Sequence, residues 1–171
     1  SGSVRLGWSE VAKVAVLTLQ NPGKSNSISP AMACQLLEHV ETLRENSLPN
    51  TPRAVVIQGD GSQFCAGADV TCFGEPGIGP HAPQSWEEAK ERGEHMNVVM
   101  TEALDGLKGL EIPSISLIEG AAVGGGAEVA VSTDLRCFAP GSSLGFIHRH
   151  MGVTPGWGGA RRLRKIVGSS R

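Results

Sequence analysis

Apolar residues along this 171-residue chain alternate between two spacings, and the switches between them mark out its elements. Between Val11 and Gln20 the positions Val14, Val16 and Leu19 alternate enough to predict a strand. Asn21-Pro22-Gly23-Lys24 breaks it. Met32, Leu36, Leu37, Val40 and Leu43 then fall at helical spacing, behind Ser29 as a capping residue and Pro30 at the first helical position. Pro49 to Pro52 closes that unit, and Arg53 to Gln58 predicts a second strand. Gly74 to Pro83 is rich in glycine and proline and is expected to be an exposed, mobile loop. Ser85-Trp86-Glu87-Glu88 has the form of a capping box, and Met96, Val99, Met100, Ala103, Leu104 and Leu107 set the buried stripe of a long helix behind it. A third strand runs through Ile115 to Ile118. After a glycine triplet come a short helix and a further strand around Leu135 to Phe138. Strands alternating with helices predict an α/β domain with largely parallel pairing.

Two places in this pattern carry candidate chemistry. Phe64-Cys65-Ala66-Gly67-Ala68-Asp69 follows the strand Ala54-Val55-Val56-Ile57, and Gly124-Gly125-Gly126-Ala127-Glu128 follows Ile115 to Ile118. Small residues at the expected start of a helix leave backbone N–H groups without intrahelical partners. Two such donors aimed at one oxygen form an oxyanion hole; the alternative is a pair of tight turns where helix and sheet pack closely. Other glycine motifs fail. A dinucleotide fingerprint begun at Gly124 meets Val129 in its sixth position, and Gly120 to Gly126 supplies no phosphate-loop lysine.

Composition narrows the field further. Hydrophobic residues make up 40% and charged residues 19%, which describes an ordinary soluble domain, while 23 glycines point to many sharp junctions. A net charge of −2 offers no nucleic-acid footprint, and no apolar run is long enough to span a bilayer. Cys34, Cys65, Cys72 and Cys137 lack Cys-x-x-Cys spacing, so they are expected as buried free thiols in a reducing compartment, with no metal site.

Three blocks together resemble the crotonase superfamily, the enoyl-CoA hydratase and isomerase relatives: Gln63 to Asp69, Ile118 to Glu128, and Gly152-Val153-Thr154-Pro155-Gly156-Trp157-Gly158-Gly159. Asn21-Pro22 and the helix after it fit the same pattern. The resemblance implies one acyl-CoA-binding domain over residues 1–171, a spiral of ββα units. It implies N–H donors at Ala68 and Gly125, with Ala66, Gly67, Asp69 and Gly124 around them. It also implies no cofactor beyond the CoA of the substrate, Lys24 near the CoA phosphates, and a homotrimer or hexamer. Enolate chemistry of a thioester suits two fixed donors, which hold the enolate oxygen more tightly than the ground-state carbonyl.

Hydratases of the superfamily use two glutamates. Glu128 matches the first; the second falls at His148, which can move protons near neutral pH but alters the pair. The stretch from Phe146 to Gly159 looks more like the ethylmalonyl-CoA decarboxylase branch, for which His148 or Glu128 would protonate the enolate. A hydratase or isomerase is the second reading. Trp157 is expected to wall the acyl pocket. Glu128 as a helix-terminal acid, His148 as a packed histidine, Asp69 as a cap and Trp157 as a core aromatic are the plainer alternatives. Asp134 is expected to anchor backbone, and Arg161-Arg162-Leu163-Arg164-Lys165 to be a solvated helix face. The family pattern implies a C-terminal helical region after Arg171 that covers the CoA site, so a truncated, non-catalytic module is the third reading. A cytoplasmic location is expected, with a mitochondrial one after transit-peptide removal as the alternative.

Overall fold

Alternation is clearest in β2 (Val14–Gln20), where Ala15, Leu17 and Leu19 are fully buried and the residues between them only half so. The computed structural model describes residues 2–9, 13–45, 51–73 and 82–169, so Val11 and Ala12 of the expected strand lie outside it. Antiparallel to β2 runs β1 (Ser3–Ser9), in register from Ser3 opposite Gln20 to Ser9 opposite Val14. On the other side β3 (Ala54–Gly59), β4 (Ser114–Ile118) and β6 (Leu135–Phe138) pair in parallel, giving the order β1-β2-β3-β4-β6. The three parallel pairings agree with the pattern; β1 was not anticipated. Its Val4, Leu6 and Trp8 do alternate, but only Val4 is buried and Trp8 is exposed.

Two long helices cover one face of this sheet. α1 (Pro30–Arg44) starts as expected, Ser29 Oγ accepting the Met32 N–H at 3.3 Å. It ends at Arg44, earlier than the proline signal, whose Pro49 and Asn50 lie outside the described residues. α2 (Trp86–Lys108) is capped by Ser85, whose Oγ accepts the Glu88 N–H. The return bond of the capping box is displaced by one residue, because Glu88 accepts from Gln84 rather than from Ser85. Met32, Leu36, Val40 and Leu43 of α1 and Met96, Met100, Leu104 and Leu107 of α2 join Leu17, Leu19, Val55 and Ile57 in one core. Each such side chain contributes about 1.5–3 kcal/mol by leaving water. Of the loop at 74–83, residues 74–81 lie outside the described set. Ala82 and Pro83 are buried, contrary to the expected exposure. Cys65 and Cys72 are buried free thiols, but Cys34 and Cys137 are exposed.

The strand–helix junctions differ from the sequence pattern in one important way. A three-residue strand β5 (Ala121–Val123) intervenes between β4 and the glycine triplet, pairing in parallel with β7 (Ser143–Gly145) in a second, two-stranded sheet. The short helix α3 (Gly125–Ala130) leaves β5 directly. A 3-10 turn over Ile147–Met151 and the last helix, α4 (Gly159–Val167), complete the chain. Asp134 anchors backbone as expected: its carboxylate accepts the N–H and O–H of Ser114 at the start of β4 and pairs with Lys108.

Candidate active site

The first small-residue stretch is held open by its neighbours on both sides. Cys65 pairs in parallel with Ala122 of β5, and Ala68 with Ile28 of the segment before α1. Cys65 N–H donates to Ala121 O, Ala66 N–H to Ser25 O, Gly67 N–H to Cys65 Sγ and Asp69 N–H to Ile28 O. From Cys65 to Asp69 the amide without a partner among the described residues is that of Ala68. Val70–Cys72, directly after this stretch, is one 3-10 turn, capped by Asp69, whose carboxylate accepts the Thr71 N–H. No helix dipole acts here, and what remains is a single backbone donor without a partner among the described residues.

The second stretch supplies its counterpart. Gly124 N–H donates to Gly145 O, while Gly125, at the first helical position of α3, has no acceptor among the described residues. The two stretches touch. A side chain on Gly67, whose φ is +96°, would set its first carbon 3.0 Å from Gly125 N and 3.3 Å from Val123 O. Only glycine allows both that conformation and that approach. One on Gly126 would lie 2.0 Å from the Cys65 carbonyl oxygen. The structure thus brings Gly67, Ala68, Gly124 and Gly125 together, with two unpartnered amides on adjoining strands of chain. Cys65 beneath them is chemically quiet, since burial pushes its thiol up to about 12 against a lowering bond from Gly67.

One turn further along α3, Glu128 is 1% exposed. Its Oε2 accepts the Trp157 N–H at 2.9 Å and the Gly159 N–H at 2.7 Å; its Oε1 lies 3.1 Å from His148 Nε2. A carboxylate fed by backbone donors is an acceptor on both oxygens, so His148 carries its hydrogen on Nε2 toward Glu128. His148 Nδ1 is buried and without a partner among the described residues. Its segment is a 3-10 turn, with the Phe146 ring 5.8 Å from the imidazole. Trp157 is a core residue, 4% exposed, with its indole over Gly125: a first side-chain carbon there would fall 2.3 Å from the ring.

Of the other expected binding residues, Ala66 and Asp69 flank Gly67 and Ala68 in the first stretch, and Lys24 reaches it through Asp69. Lys24 Nζ is 2.7 Å from Asp69 Oδ2 and 2.8 Å from Thr71 Oγ1, so Lys24 and Asp69 partner each other. Burial raises the Asp69 carboxyl, but the Lys24 and Thr71 bonds outweigh it and hold the group below its ordinary value. Ala66 is exposed beside them. Sequence reasoning missed Gln63, whose side chain accepts the Ala121 N–H, and Asn26, whose amide donates to Asp60 O and Gln63 O. Both fasten the first stretch in place. It also misplaced Arg162, which is buried rather than part of a solvated face. Among the described residues no cluster of His, Cys, Asp and Glu is placed to hold a metal ion.

The enoyl-CoA hydratase/isomerase family profile matches residues 9–171. The chain belongs to the enoyl-CoA hydratase/isomerase family. Among its relatives, the Gallus gallus protein named ethylmalonyl-CoA decarboxylase is 37% identical over 168 residues, 98% of this chain and 51% of the relative. The Danio rerio protein of that name is 36% identical over 169 residues, covering 98% and 51%. The family fold appears in solved structures too. An enoyl-CoA hydratase from Bacillus anthracis superposes with a TM-score of 0.80 at 27% identity, over 99% of this chain and 60% of that one. A Thermobifida fusca YX protein solved in complex with acetoacetyl-CoA gives 0.80 at 26%, over 97% and 62%. This family member spans about half the length of the curated relatives it matches.

Proposed function

We propose that this protein acts on an acyl-CoA thioester, decarboxylating a malonyl-type substrate such as ethylmalonyl-CoA or methylmalonyl-CoA. The observation that carries the reading is the Glu128–His148 pair beside two free amides. In the proposed step the thioester oxygen sits between the N–H groups of Ala68 and Gly125. The bond from the α-carbon to the substrate carboxylate breaks, carbon dioxide leaves, and the electron pair passes into the enolate, whose oxygen charge the two amides hold. A proton from the Glu128–His148 pair then passes to the α-carbon, and is replaced from solvent. Glu128 keeps the imidazole oriented through Nε2.

Hydration asks more of the pair: two carboxylates that together hold and activate a water. Here one position is histidine, and Oε2 of Glu128 already accepts two backbone amides. The names of the relatives support decarboxylation, and those of the solved neighbours support a hydratase or isomerase as the second reading. In the test, ethylmalonyl-CoA and methylmalonyl-CoA should release carbon dioxide while crotonyl-CoA hydration stays at background. Hydration without carbon dioxide release would replace this reading with the second.

A further inference from the structure

The basic run of α4 contains a buried arginine. Arg162 is 6% exposed, whereas Arg161 beside it is out in solvent. Arg162 Nη1 donates to the Trp157 carbonyl, and Nη2 donates to Asp105 Oδ1 of α2 at 2.7 Å. Gly158, with φ at +80°, lies against the guanidinium: a side chain there would begin 3.1 Å from Nη1. The planar head therefore lies beneath the Trp157–Gly159 turn, and its rigid fork holds two acceptors in a fixed geometry that the point charge of a lysine does not reproduce. Arg162 Nε has no partner among the described residues, so the site keeps a buried charge with one donor unsatisfied. Burying a charge is costly, and an apolar side chain in place of Arg162 would serve mere packing as well or better.

What that turn does explains the arrangement. Its amides at Trp157 and Gly159 hold Oε2 of Glu128, its indole lies on Gly125, and Gly159 is so close that a side-chain carbon there would fall 2.4 Å from Glu128 Cγ. We propose that Arg162, held by Asp105, is a positioning residue that fixes the Trp157–Gly159 turn against Glu128 and Gly125. Its catalytic consequence rests on the functional reading above; the clamp itself does not.

Amide hydrogen exchange followed by NMR on this chain tests the clamp. Arg162→Lys and the milder Asp105→Asn should speed exchange at the Trp157 and Gly159 amides by about tenfold or more, with β2 and β3 protection unchanged. Arg161→Gln, which removes the exposed partner of the same Asp105, should leave both amides protected. Unchanged protection in the first two variants, or loss spread equally through the sheet, overturns the proposal. On the turnover side, kcat for the malonyl-type ester should fall about 10- to 100-fold with KM nearly constant, as displacement of an aligned group requires. An unaltered kcat removes the catalytic role. A wild-type chain silent on every ester defeats the functional reading instead, and the exchange result still decides the clamp.

Discussion

Glu128 does two jobs with its two oxygens: Oε2 is fastened by the Trp157 and Gly159 amides, and Oε1 faces His148. Replacing it by glutamine keeps the shape but turns a carboxylate into a group that donates on one side. The histidine tautomer then changes. In Glu128→Gln, and likewise in His148→Gln, turnover should fall about 10²- to 10⁴-fold, the range of general acid–base catalysis. The double variant should be no worse than the poorer single one, because the two act as a unit; additive losses in steady-state kinetics would separate them. Gly125 needs a different approach. A proline there deletes the donor, but it also drives a carbon to 2.3 Å from the Trp157 ring, so lost activity would not isolate the amide. Glu128 and His148 were singled out through the family resemblance, and the structure sets them 3.1 Å apart. Arg162 was not legible in the sequence. Four cations in five residues read as a solvated face, and its carboxylate partner lies 57 residues earlier on another helix.

At the scale of elements, close approach and charge pairing set the predictions. α3 passes so near Cys65 that Gly126→Ala puts a carbon 2.0 Å from a backbone oxygen, and urea unfolding should show a loss of about 1–3 kcal/mol or more. Gly93→Ala, in α2 with none of the described residues within 4 Å of the added carbon, should instead stabilise by about 0.5–1 kcal/mol. Asp134 ties α2 to β4. Burial raises its carboxyl, but Lys108 and the Ser114 bonds prevail and hold it low. A depressed folded value means the contribution is present above the unfolded value of about 3.9 and is lost as pH falls through the folded one. Asp134→Asn should therefore lower stability at neutral pH and flatten its fall on the acid side, as thermal melts between neutral and acid pH will register. Long elements with many apolar turns, α1 and α2, were readable from spacing. β5 was not, because Ala121-Ala122-Val123 is three residues long and owes its strand form to pairing with Ser143–Gly145.

Across the whole molecule, the sheet with α1 and α2 forms a packed base, and the candidate site is assembled where β5, α3 and the Trp157–Gly159 turn meet beside it. Met151, Val153 and Ile166 on the outer elements remain exposed. If a CoA ester binds the folded chain, its melting temperature must rise with ester concentration. A flat response to butyryl-CoA would favour a non-catalytic module. In the proposed reading the Ala68 and Gly125 amides grip one thioester oxygen. Difference infrared spectroscopy of a carbonyl-labelled acyl-CoA bound to the protein reads that contact directly. Two fixed donors should shift the thioester carbonyl stretch clearly below its value in water; a bound ester whose stretch matches the free one would contradict the account.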